Sequence, residues 1–162
     1  MQDDWPHFDY VIVGGGSAGC VLASRLSEDP SVRVLLLEAG PADRNLWIHL
    51  PIGYYRTMFH PRLARWFETE PEPELYGRKI LWPRGRVLGG SSSINGLVWA
   101  RGQRQDFDLW AERGCVGWSY AEVLPYFRRA EDFEDGPNRW RGAGGPIGVV
   151  WPRYRSALLE AF

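Results

Sequence analysis

The stretch Phe8-Asp9-Tyr10-Val11-Ile12-Val13-Gly14-Gly15-Gly16-Ser17-Ala18-Gly19 decides the fold. Phe8 to Val13 reads as a short strand, and it runs directly into glycines at all three positions of G-x-G-x-x-G. Ser17 to Ser27 follows with Val21, Leu22 and Leu26 on one helical face, and Pro30 ends that helix. Val32 to Leu37 is then a nearly continuous apolar run, as expected of a parallel strand covered on both faces. Strand, helix and strand in this order make a βαβ unit with a right-handed crossover, so the fold class is α/β and Rossmann-like.

Each glycine has a separate duty in such a turn. Gly14 permits the tight turn, Gly16 lets the backbone approach a pyrophosphate, and Gly19 allows the helix to pack closely on the strand. The pyrophosphate would lie on the positive end of the helix, where free N–H groups point outward. Glu38, at the end of the second strand, can accept hydrogen bonds from an adenosine ribose and would repel a 2′-phosphate. This turn by itself does not distinguish FAD from NAD.

Outward from this unit the pattern loosens. Pro41, Pro51, Pro61, Pro71 and Pro73 interrupt any long element between Gly40 and Leu81. A short helix is expected within Leu46 to Met58 and an extended strand within Trp66 to Glu70. Gly85 to Gly90 forms a second glycine-rich turn, leading through Ser91-Ser92-Ser93 into an apolar stretch to Trp99 that reads as a buried helix. Asp106 to Arg113 is a helix closed by Gly114, and another begins at Ser119, where Ser119-Tyr120-Ala121-Glu122 has capping-box form and Pro125 predicts some irregularity. Pro146 to Trp151 resembles a strand and Ser156 to Phe162 the start of a helix.

Composition excludes several classes. With 19 Lys plus Arg against 20 Asp plus Glu, the net charge of −1 leaves no electrostatic footprint for nucleic acid or an anionic membrane. Two cysteines, Cys20 and Cys115, form neither a disulfide framework nor a metal-spaced cluster, so no metal site is expected. The acidic start, Met1-Gln2-Asp3-Asp4, does not suit a secretory signal, and the expected setting is cytoplasmic. Nine Trp, seven Tyr and seven Phe with 19 Gly and 12 Pro imply bulky packing joined by many turns.

The segment Gly85-Arg86-Val87-Leu88-Gly89-Gly90-Ser91-Ser92-Ser93-Ile94-Asn95, extended to Asp108 with Trp99 and Gly102 at characteristic spacings, resembles the first signature of the glucose-methanol-choline (GMC) oxidoreductase family. Trp66-Phe67-Glu68-Thr69-Glu70-Pro71, Trp82-Pro83-Arg84-Gly85 and Gly117-Trp118-Ser119-Tyr120 are similar to family segments too, so the resemblance runs from Phe8 to about Trp151. It implies the amino-terminal, incomplete part of an FAD-binding fold, with a nucleotide unit at 8–39, a loop-rich flavin-edge segment at 40–114, and the start of a substrate-domain region at 115–162.

The cofactor contacts so implied are Gly14, Gly16, Ser17, Ala18, Gly19, Glu38 and Ala39 at the adenosine and pyrophosphate end. Trp66, Arg86, Val87, Gly89, Gly90, Ser91, Asn95, Gly96, Leu97 and Val98 would follow toward the isoalloxazine, the two turns gripping opposite ends of one FAD. A helix starting near Ser91 would aim N–H donors at the flavin. Some relatives tether FAD through a histidine just before the asparagine, where this chain has Ile94, so the FAD is expected to be non-covalent.

In the family an alcohol loses its proton to an active-site base and its hydride to the flavin. The catalytic histidine belongs to a carboxyl-terminal portion, and His7, His49 and His60 lie in no segment similar to it, so no catalytic residue is assigned. Asp106 and Asp108, and Glu131 and Asp132, read as helix-end and solvated charges, and Trp47, Tyr54 and Trp118 as core aromatics. An alcohol would be the substrate only if the missing portion completes the enzyme. The alternatives are a non-catalytic FAD-binding remnant, lyase or light-driven decarboxylase chemistry on the same fold, and an NAD-dependent dehydrogenase. Missing sheet partners would leave apolar surface and strand edges exposed, which predicts poor solubility.

Overall fold

A computed structural model describes residues 6–152. The chain divides into two compact units, Met1–Val98 and Trp99–Phe162. Residues 156–162, expected to begin a helix, lie outside the described residues.

The first unit opens as the sequence dictates. Strand β1 (Tyr10–Val13) leads through the glycine turn into helix α1 (Ser17–Leu26), and β2 (Val34–Leu37) pairs parallel to β1 with Tyr10 opposite Val34 and Val13 opposite Leu37. Asp9 fixes this register from outside the ladder: its N–H donates to the Arg33 carbonyl at 2.9 Å and its carboxylate accepts from Arg33 N–H at 2.7 Å. The two strands form a sheet of their own, and Val11, Val13 and Leu37 remain 56, 84 and 47% exposed. These are apolar strand residues of the kind that normally sit covered.

The expected helix within Leu46 to Met58 is broken by Pro51 into α2 (Leu46–His49), a 3-10 turn (Pro51–Gly53) and α3 (Tyr54–Thr57). Asn45 caps α2, its Oδ1 accepting from Trp47 N–H at 3.0 Å. Strand β3 (Ala64–Glu68) starts two residues earlier than expected and pairs antiparallel with β4 (Leu81–Gly85), a strand the sequence pattern does not predict. Pro83 obscured β4. Proline cannot donate to a ladder, but in a two-stranded sheet each strand is an edge and tolerates it. The core of this unit is Leu63, Ala64, Val87 and Ile94, with Ile48 packed against it.

The expected buried helix from Ser91 to Trp99 does not form. A four-residue 3-10 turn, Gly90–Ser93, stands in its place, followed by an exposed loop from Asn95 to Val98. The serine hydroxyls are tied to backbone instead: Ser91 Oγ accepts from Gly85 N–H, Ser92 Oγ donates to the Gly89 carbonyl, and Ser93 Oγ donates to the Leu88 carbonyl. Asn95 then accepts from Leu97 N–H at 2.9 Å, and Leu97 adopts φ 60°, which a right-handed helix cannot contain.

The second unit holds α4 (Arg104–Glu112), α5 (Tyr120–Ala130) and a parallel pair of short strands, β5 (Glu131–Phe133) and β6 (Ile147–Val149). Both helices start with a reciprocal cap: Asp106 accepts from Gln103 N–H at 2.9 Å and Glu122 from Ser119 N–H at 3.0 Å. Helix α5 runs through Pro125 without a break. Phe107 lies between the helices, edge-on to Trp110 and Phe127. Asp106 is a helix-end charge as expected, whereas Asp108 lies in the middle of α4 and accepts from Tyr120 N–H, at the start of α5, at 2.9 Å. Glu131 is not a solvated charge, since it is fully buried. Among the described residues no helix is long and apolar enough to cross a membrane.

Candidate functional site

The glycine turn is built by packing as much as by flexibility. Gly14, at φ 98°, donates its N–H to the Leu37 carbonyl at 2.7 Å and so closes the turn onto β2. A Cβ on Gly19 would sit 1.9 Å from the Gly14 carbonyl oxygen, so α1 lies against the turn only because that position is bare. Gly16 differs: the nearest atom to a Cβ there is Gly90 Cα at 3.9 Å, which leaves open space in front of its backbone. The first helical bond of α1 runs from Cys20 N–H to the Gly16 carbonyl at 2.9 Å, so the N–H groups of Ser17, Ala18 and Gly19 precede the ladder. Ser17 and Ala18 are exposed. Open space over Gly16 beside free amides at a helix N-terminus is the form a pyrophosphate requires.

Glu38 does more than the sequence suggested. Its Oε2 accepts from Gly15 N–H and its Oε1 from Gly40 N–H, both at 2.7 Å, so the carboxylate pins the turn to the segment after β2. Each oxygen keeps a second lone pair for a ribose hydroxyl.

The second turn lies directly on the first. Gly89 N–H donates to the Gly15 carbonyl at 2.7 Å, Ser17 Oγ and Ser92 Oγ are 2.8 Å apart, and a Cβ on Gly90 would come within 2.8 Å of Gly16 Cα. The picture of two turns at opposite ends of a dinucleotide is therefore corrected. Gly89 and Ser92 touch the first glycine turn, and the exposed loop Asn95–Gly96–Leu97–Val98 follows. Leu97 and Val98 are 60 and 83% exposed, apolar side chains available to a flat ring.

Other expected contacts divide. Val87 is fully buried in the core, so only its backbone can meet a ligand. Arg86 is exposed and its N–H goes to the Leu63 carbonyl at 2.7 Å; Ala39 is exposed; Trp66, on β3, packs against Phe59 at 5.2 Å between ring centroids. The N–H donors expected of a helix at Ser91 are not available in that form, because a single 3-10 turn lacks the aligned dipoles of a helix. Ile94 points into the core at 5% exposure, which leaves its position without a reactive group.

Trp47 and Tyr54, read as core, instead line a shallow depression with Ile48, Leu50, Ser93, Asn95 and Leu97. Nothing local in the sequence marks them, because the contact depends on how the Pro51 break folds α3 back toward Asn95. Trp118 is likewise no core residue, at 51% exposure. His49 is engaged with the Asp43 carbonyl and His60 accepts from Arg62 N–H, so each serves its own loop.

A βαβ unit with an open glycine turn, a carboxylate at the end of its second strand and a second turn seated on the first defines a dinucleotide-binding domain. The family model for the GMC oxidoreductase amino-terminal region matches residues 8–162. The chain belongs to the GMC oxidoreductase family, and its cofactor is FAD. It is 54% identical over 141 residues to an oxygen-dependent choline dehydrogenase of Vibrio vulnificus, covering 87% of this chain and 25% of that protein. It is 50% identical over 162 residues to human mitochondrial choline dehydrogenase, covering 96 and 27%. Among solved structures, pyridoxine 4-oxidase from Mesorbium loti matches 96% of this chain and 31% of its own at TM-score 0.88 and 39% identity. The chain thus spans about a quarter of the length of the curated relatives it matches.

Proposed function

We propose that this chain supplies the dinucleotide grip of an enzyme that oxidises the CH–OH group of a small alcohol. FAD, when bound, supplies the hydride acceptor. The free amides of Ser17 and Ala18 would hold the pyrophosphate, Glu38 the adenosine ribose, and the Asn95–Val98 loop would border the ring. The seating of the second turn on the first through Gly89 and Gly15 carries this reading, because it makes one continuous site from residues far apart in sequence.

The group that takes the alcohol proton is assigned to polypeptide outside these residues. The engagement of His49 and His60 in their own loops supports this, as does the three-quarters of the relatives' length that lies beyond the match. The chain, purified with FAD, is expected to be yellow, with a flavin absorption spectrum that choline or a simple primary alcohol does not bleach under anaerobic conditions. Bleaching by the chain alone would place a working base within it, and failure to retain flavin would remove the proposed grip.

The linkage to FAD is expected to be non-covalent, because Ile94 offers no nucleophile at the tethering position and is buried. Acid precipitation should leave all flavin absorbance in the supernatant. Flavin remaining with the pelleted polypeptide would overturn this.

A further inference from the structure

The hydroxyl protons in the cradle can be counted. Ser92 Oγ lies 2.6 Å from the Gly89 carbonyl and 2.8 Å from Ser17 Oγ. A carbonyl only accepts, so the single proton of Ser92 is committed to Gly89. The contact with Ser17 then forms only if Ser17 donates. The result is a one-way chain, Ser17 to Ser92 to the Gly89 carbonyl, running alongside the bond from Gly89 N–H to the Gly15 carbonyl. The two turns meet mainly through glycines, Gly15 and Gly16 against Gly89 and Gly90, with Leu88 as the large side chain at the contact. With so little apolar surface to bury there, hydrogen bonds must hold the turns together.

We propose that Ser92 is a positioning residue for the dinucleotide: through Ser17 it latches the second turn onto the first and holds the cradle in its binding shape before FAD arrives. The inference rests on FAD as the cofactor. It also assigns Ser17 a role other than ligand donor. Its proton is spent on Ser92, so the pyrophosphate is left to the backbone amides, whereas Ser91 accepts from Gly85 N–H at 3.0 Å and keeps its own proton free.

The test is FAD titration of the full chain, followed by tryptophan quenching, for wild type, Ser17→Ala, Ser92→Ala, the double variant and Ser92→Thr, with amide exchange of Gly89 measured without FAD. Ser17→Ala, which loses one hydrogen bond, should weaken FAD binding about three- to tenfold, and Ser92→Ala, which loses that bond and the one to the Gly89 carbonyl, at least as much. The double variant should be no weaker than Ser92→Ala, because that change alone already removes every bond of the latch that Ser17→Ala removes. Ser92→Thr, which keeps the hydroxyl, should bind as wild type, and Gly89 exchange should accelerate in both alanine variants. Unchanged affinity in Ser92→Ala, or losses that multiply in the double variant, would overturn the latch while leaving FAD binding intact. If wild type itself took up no FAD, the cofactor reading would fall, and the latch with it.

Discussion

Replacing Glu131 with glutamine lowers stability by about 3–5 kcal/mol, the usual cost of removing one partner from a buried ion pair. Glu131 is 0% exposed. Its Oε1 accepts from Gly142 N–H at 2.9 Å and from Arg101, and its Oε2 from Trp99 Nε1 at 2.8 Å and Arg141 at 3.3 Å. Every one of these neighbours is a donor. A glutamine must turn an NH2 toward two of them and leaves Arg101, whose side chain is 11% exposed, without its counter-charge. Guanidinium already lies over the Phe127 ring at 5.2 Å, so it has no easy route to water.

The same site sets an acid limit. Burial pushes the Glu131 carboxyl upward, but donation from Gly142, Trp99 and Arg101, with the Arg101 charge, outweighs it and holds the group below the ordinary carboxylate range. A lowered folded value means that the stabilisation is fully present above the ordinary carboxylate range and is lost as pH falls through the folded value. Denaturation of wild type and Glu131→Gln across pH 3 to 7 should therefore show a large gap at neutral pH that narrows on acidification. A gap below about 1 kcal/mol at pH 7, the scale of an exposed pair, would show that the carboxylate is effectively solvated.

Alanine at Gly16 and alanine at Gly19 should fail in different ways. At Gly19 the new Cβ meets the Gly14 carbonyl at 1.9 Å and Gly14 C at 3.1 Å, both main-chain atoms. Helix α1 must then move off the turn, at a cost of about 1–3 kcal/mol or more, and FAD binding should be lost with the packing. At Gly16 the backbone is extended, φ −81° and ψ −167°, and beyond its chain neighbours an added Cβ would meet nothing closer than Gly90 Cα at 3.9 Å. There alanine costs no more than about 1 kcal/mol, the penalty for a poor N-cap. It fills the space the pyrophosphate needs, however, and should weaken FAD binding by roughly a hundredfold, about 2.8 kcal/mol. Thermal melts of the FAD-free chain beside FAD titrations separate the two. Parallel losses of stability and affinity in both variants would mean that Gly16 is a packing glycine and the space above it is no ligand site.

These contrasts mark where sequence reading succeeds. The βαβ unit, the three glycines and the capping box at Ser119 depend on neighbours within a few residues, and they stand within two residues or so of where the pattern placed them. The family signature around Gly85 to Asp108 identified the cofactor for the same reason, as a contiguous run. The strand at Leu81–Gly85 was missed because Pro83 argues against a strand until one knows that both partners are edges. The helix at Ser91 was wrongly expected because apolarity from Ile94 to Trp99 outweighed, on paper, three hydroxyls that compete for backbone and a left-handed Leu97.

By itself, then, the order of residues determined a dinucleotide-binding α/β unit, since local periodicity and bare glycines carry that information, while FAD as its ligand was implied by the resemblance of Gly85 to Asp108 to a family signature. Only the tertiary structure decided that the two turns touch, that Glu131 is buried among donors, and that Trp47 and Tyr54 border Asn95. Those facts depend on partners distant in the chain, 75 residues apart for Ser17 and Ser92. Burial and hydrogen-bond partnership at such separations are properties of the packed whole, which no local pattern encodes.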